Sequence, residues 1–71
     1  MNVEPNRAAA LKVAEAVRDA CREAVVEAWE DAGIQGLCVE GRCEVAVGAI
    51  ERIGLKGIVE RVLDERAGTS S

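Results

Sequence analysis

Three cysteines and a row of carboxylates are the residues of this chain whose types and spacing could do chemistry. Cys38 and Cys43 bracket the tetrapeptide Val39-Glu40-Gly41-Arg42. A thiol is nucleophilic as its thiolate, which a nearby cation or a helix N-terminus favours. Cys38, expected near a turn and close to Arg42, is therefore the candidate reactive thiol. If Cys38 and Cys43 lie in one helix they point about 140° apart and cannot bridge, so an internal disulfide requires Cys38 to stand in the turn. Redox pairs more often use a two-residue gap at a helix N-terminus, and this spacing departs from that pattern. Cys21 and Cys43 fall on apolar stripes and read as small buried hydrophobes.

The carboxylates Glu15, Asp19, Glu23, Glu27 and Asp31 recur every four residues. On a helix this spaces the charges by about 6 Å along the axis, close to the separation of phosphates on a nucleic-acid strand. Like charges four apart destabilise an isolated helix, so the row invites a purpose. One purpose is to meet a basic partner surface, with nucleic-acid mimicry as the extreme form. The other reading is an ordinary solvated face, since Arg18 and Arg22 follow Glu15 and Asp19 by three residues and partly neutralise the row. Glu23 and Glu27 share a face, as do Glu27 and Glu30, but di-metal bundles need inward-facing Glu with Glu-x-x-His partners. The chain contains no His.

That absence excludes a Ser-His or Cys-His nucleophile pair within one chain. An all-cysteine zinc site would need four thiolates, and there are three. No glycine-rich phosphate loop follows a strand pattern. Net charge is −4, and a nucleic-acid binder needs clustered Lys and Arg. The expectation is a protein that is not an enzyme, takes no cofactor or metal, and does not bind nucleic acid directly.

The elements that would position these residues read as helices. Pro5 suits the first turn of a helix, with Asn2 or Glu4 as its cap. One helix is expected over about 5–32. Along it Ala10, Ala14, Val17, Cys21, Ala24 and Ala28 form a heptad seam of small side chains, flanked on one side by Val13 and Ala20 and on the other by Leu11, Val25 and Trp29. Gly33 reads as the left-handed C-terminal cap, with Ile34 folding back onto the last turn. A second helix over about 38–53 carries the stripe Val39, Cys43, Ala46, Val47, Ile50 and Ile53. Leu55, Ile58, Val59 and Val62 centre about 130° away from that stripe by helical geometry. Gly54 and Gly57 therefore mark a break, and a short third helix is expected over about 55–66, with 67–71 a frayed polar tail. Close packing against the Ala-rich seam would compensate for the glycines of the second half. The fold class expected is all-α, a single small domain over 1–71. A long helix packs antiparallel on a second, and a short third helix closes the core.

Size limits what such a core can do. Of 35 apolar residues among 71, twelve are Ala and ten are Val, and Trp29 is the lone aromatic. A chain this short buries only about 60% of its unfolded surface, so small scaffolds need a disulfide, a metal or a partner. Self-association or a protein partner is the expectation here. Contact would run through the Ala-rich seam or through the Leu11, Val25 and Trp29 flank. Trp29 reads as a buried core residue by its apolar area, or, if partly exposed, as the foremost anchor. No apolar run approaches the ~20 residues of a membrane span. Met1 to Ala10 lacks a signal-peptide pattern, and an odd cysteine count argues against a secreted disulfide framework, so the cytoplasm is expected.

The stretch from Ala28-Trp29-Glu30-Asp31-Ala32-Gly33-Ile34-Gln35-Gly36-Leu37-Cys38 through Val39-Glu40-Gly41-Arg42-Cys43-Glu44, continuing to Ala49-Ile50, resembles small alphaproteobacterial helical proteins. These are uncharacterised and sometimes loosely labelled acetyltransferase. An acetyl-CoA-binding fold of that kind needs a sheet and a considerably longer chain, so the resemblance implies a distinct family without a mechanism and transfers no site residues. The leading functional expectation is a non-catalytic accessory or adaptor protein, a subunit of a larger complex or a homo-oligomer. The alternatives are an acidic inhibitor using the carboxylate row, and a thiol redox or metal-handling protein using Cys38 and Cys43.

Overall fold

The computed structural model describes the backbone of residues 5–69 and the side chains of residues 6–65. Its fold is all-α: α1 (Pro5–Ile34), α2 (Val39–Glu51) and α3 (Leu55–Thr69), with no strand among the described residues. Helix α1 opens at Pro5, whose missing N–H costs nothing at a position without an intrahelical acceptor. The caps expected at Asn2 or Glu4 lie outside the described residues.

Helix α1 runs two residues past the expected end at Ala32, and Gly33 is helical rather than left-handed. Gly36 is the left-handed residue, at φ 86°. Its N–H donates to the Gly33 carbonyl at 3.0 Å, and the Leu37 N–H donates to the Ala32 carbonyl at 3.0 Å. This pair of bonds is a Schellman closure with Gly36 at the position where a Cβ would clash. Ile34, expected to fold back, is 85% exposed instead. The closure moved three residues because both glycines could end the helix, and the one at 36 lets the next apolar residue, Leu37, return toward the last turn. Leu37 is half-buried and Ala32 is buried.

Cys38 is extended (φ −73°, ψ 172°) and caps α2 without a side-chain hydrogen bond. The Arg42 N–H donates to the Cys38 carbonyl at 2.9 Å. At the other end the Ile53 N–H turns back to the Ile50 carbonyl at 3.2 Å, and the Gly54 carbonyl accepts from the Ile58 N–H at 3.2 Å, which starts α3 at Leu55 as expected. Helix α3 continues through Ala67, Gly68 and Thr69 rather than fraying after Arg66. Ser70 and Ser71, the rest of the expected tail, lie outside the described residues.

The helices form two compact units, residues Asp19–Ile53 and the part of α1 up to Arg18 with α3. In the first unit α1 and α2 pack antiparallel. Cys21, Ala24, Val25 and Ala28 are half-buried on α1, and Ala32 is the most buried residue of the core. The face that α2 turns inward is Arg42, Ala46 and Ala49, spaced by four and three, and Ile53, in the turn after the helix, is also half-buried. It is not the expected stripe, of which only Ala46 is buried and Ile53 half-buried. Small side chains on both helices permit close approach, but an Ala contributes little, since burial is worth about 0.8 kcal/mol per methylene-sized group.

In the second unit Ile58 and Val62 are the buried residues of α3. Half-buried on α1 are Ala9, Val13, Ala16 and Val17, whereas Ala10 and Ala14, expected in the seam, are exposed. The departure is confined to the first two seam members: Val17, Cys21, Ala24 and Ala28 of the same seam are half-buried, as is Val13 on its flank.

Candidate functional site

The turn between α1 and α2 is organised by Arg42. Its Nε donates to the Leu37 carbonyl at 3.1 Å in a part-buried bond. The guanidinium carbon sits 5.6 Å from the centroid of the Trp29 ring, within the range of a cation–π contact. Gly33 makes room for this: a Cβ there would lie 3.1 Å from the guanidinium carbon. Gly41 likewise leaves room for Leu37, whose Cδ2 would lie 3.2 Å from an added Cβ. By contrast a Cβ on Gly48, Gly54 or Gly57 would meet nothing within 4 Å, so these glycines are not pressed against the Ala-rich seam as expected. Trp29 is 36% exposed beneath its cation, on the rim of the unit rather than in its core.

The inward commitment of Arg42, Ala46 and Ala49 leaves the rest of the apolar stripe on the surface. Val39 is 64% exposed, Val47 57% and Ile50 41%, and Cys43, expected to be a buried hydrophobe, is exposed beside them. At 100° per residue these four fall within an arc of about 80°. Glu40, Glu44 and Glu51, all exposed, fall within an adjoining arc of about 40°. The chain thus presents an apolar flank edged by carboxylates on one short helix.

The other expected site residues are dispersed. Leu11 is 61% exposed in the unit formed with α3, while Val25 and Trp29 belong to the unit formed with α2. The carboxylate row Glu15, Asp19, Glu23, Glu27 and Asp31 advances about 40° with each four-residue step, so it winds about 160° around α1 instead of keeping to one face. Its last members turn toward α2, where Glu27, Asp31 and Arg52 edge an open groove of about 540 Å³ floored by Ala24, Ala28 and Ala49. Asp31 also accepts a hydrogen bond from Gln35 Nε2 at 3.0 Å.

Cys21, Cys38 and Cys43 are free thiols. Cys38 is the extended cap residue of α2 and Cys43 follows five residues on; with the cap's Cα on the helix path, their Cα atoms are about 8.7 Å apart. A disulfide tolerates up to about 7 Å. Among the described residues no three His, Cys, Asp or Glu side chains converge on a point where a metal could sit. No polar side chain among them is buried.

Sequence reasoning missed Arg42 as the organiser of the turn and the outer flank of α2 as the exposed apolar surface. The signal for both was the four-three spacing of Arg42, Ala46 and Ala49, obscured because the neighbouring valine-rich stripe is the more hydrophobic. No protein-family model, curated protein or solved structure matches the chain.

Proposed function

We propose that this is a non-catalytic accessory or adaptor protein that acts by binding another protein chain. One observation carries the reading. Among the described residues the buried core is Ala32, Ala46, Ile58 and Val62, while Leu11, Val26, Trp29, Ile34, Val39, Val47, Ile50, Leu55 and Leu63 are exposed. Single exposed apolar residues are ordinary, but a grouped set on a thin core marks an interaction surface. The α2 flank of Val39, Cys43, Val47 and Ile50 is such a group, and no helix among the described residues is long and apolar enough to cross a membrane. Free thiols on the surface favour a reducing compartment, and the cytoplasm is the location that this proposal carries.

The test is to purify the chain from its native host after brief cross-linking and nuclease treatment, and to measure the melting of the isolated chain. The expected result is a stoichiometric larger protein, together with weak, low-temperature unfolding of the chain alone. A monomer that melts cooperatively well above about 60 °C without a partner overturns the proposal, because such a core would need no completion.

A further inference from the structure

We infer that the outer flank of α2 docks an amphipathic helix of a partner protein whose polar edge is lysine- and arginine-rich; the inference rests on the adaptor reading above. The apolar part of the surface is Val39, Cys43, Val47 and Ile50, with the exposures given above. Its edge is Glu40, Glu44 and Glu51, all exposed. Of the two arginines nearest this surface, Arg42 is drawn away onto Leu37 and Trp29, and Arg52 edges the groove on the other side of α2. What the flank offers a partner is therefore apolar contact and negative charge alone.

The stability of α2 itself does not account for that charge. Glu40 is in the first turn, where a carboxylate suits the helix dipole, but Glu51 ends the helix, where a carboxylate opposes it, and the last turn carries no basic residue. Glu40 and Glu44, four apart, repel each other. The same edge disfavours antiparallel pairing with a second copy of the chain. In an antiparallel pair of α2 helices like edges meet, so carboxylates would face carboxylates. A basic edge relieves all three costs at once and gives the partner orientation as well as contact.

The probe is a fluorescein-labelled synthetic helix with a leucine stripe and a lysine edge, titrated into the full chain, with a glutamate-edged peptide of the same stripe as control. The expected result is saturable binding of the lysine peptide alone. Val47→Asp or Ile50→Asp should weaken it by about tenfold or more, each residue acting as a buried anchor. The triple variant Glu40→Gln, Glu44→Gln, Glu51→Gln should weaken it and flatten its salt dependence. The substituted residues are exposed, and circular dichroism verifies that the variants keep their helices. No binding of the lysine peptide, or equal binding by wild type and variants, overturns the inference. So does a concentration-dependent dimer that Ile50→Asp dissolves, which would make the flank an interface between copies. If the native partner persists on the Val47 and Ile50 variants, this inference fails while the adaptor reading stands; recovery of no partner on the wild-type chain fails both.

Discussion

The guanidinium of Arg42 lies over the ring of Trp29, 5.6 Å from its centroid, and bonds through Nε to the Leu37 carbonyl at 3.1 Å. One side chain thus ties the last turns of α1, the connecting turn and the first turns of α2. Arg42 also leads the inward face of α2, Arg42, Ala46 and Ala49, while Val39, Cys43, Val47 and Ile50 lie outside.

Arg42→Ala should therefore lower stability by about 1–2 kcal/mol, from the lost cation–π contact and the lost charge-assisted hydrogen bond on a partly exposed site. Arg42→Lys should recover less than half of that loss, since an ammonium cannot lie flat on the ring while donating to Leu37. A double-mutant cycle with Trp29→Leu, followed by urea unfolding, should show a coupling of about 0.5–1 kcal/mol. Strict additivity of the two substitutions would mean that the stacking contributes nothing.

Two glycines should respond to alanine with opposite signs. Gly36→Ala forces a Cβ into the left-handed conformation that closes α1, and should cost about 1–2 kcal/mol. Gly48 sits inside α2 with open space around its missing Cβ. Gly48→Ala should raise stability by about 0.5–1 kcal/mol through helix propensity and a less flexible unfolded chain. Thermal melts of the two variants decide this directly. Destabilisation by Gly48→Ala would mean that the position is closely packed after all.

Much of the architecture was legible because it follows from local chemistry. Proline at 5, the uninterrupted run to Ala32 and the phase break at Gly54 dictate three helices. The end of α1 was less legible. Gly33 and Gly36 both permit a stop, and the choice depends on whether Ile34 or Leu37 finds a place to fold back. Seam membership failed where residue types compete. Ala10 and Ala14 obey the heptad but are exposed, whereas the seam's Val17 and the flanking Val13, with more apolar area to cover, are half-buried. The stripe of α2 failed because the face turned inward, Arg42, Ala46 and Ala49, is less hydrophobic than the stripe, and its contacts with α1 and the turn are not visible in the periodicity of α2 alone. A linear reading also treats an every-fourth-residue carboxylate row as a line, although a helix turns it through about 160°.

The α3 unit should be sensitive at two residues and indifferent at their neighbours. Ile58 and Val62 are each 8% exposed, while Leu63 is 43% and Leu11 61% exposed. Ile58→Ala should cost about 2–4 kcal/mol and Val62→Ala somewhat less. Leu63→Gln and Leu11→Gln should stay within about 0.5 kcal/mol, as changes to exposed positions do. If Leu63→Gln matched Ile58→Ala in denaturant titrations, the inward face of α3 would have been assigned incorrectly.

Oxidation should join chains rather than close a ring. Cys38 is the extended cap residue before α2 and Cys43 lies five residues on; with the cap's Cα on the helix path the two Cα atoms are about 8.7 Å apart, beyond the reach of a disulfide. Both thiols are exposed and Cys21 is half-buried. Mild oxidation should therefore yield disulfide-linked dimers through Cys38 or Cys43, with Cys21 the slowest thiol to react. Tryptic cleavage after Arg42 separates the two cysteines, so non-reducing peptide mapping distinguishes the products. A monomer lighter by two hydrogens, with the peptides on either side of Arg42 still linked, would require the first turn of α2 to unwind. It would also detach Arg42 from Trp29, and quenching or recovery of the single-tryptophan fluorescence would report that loss in the same sample.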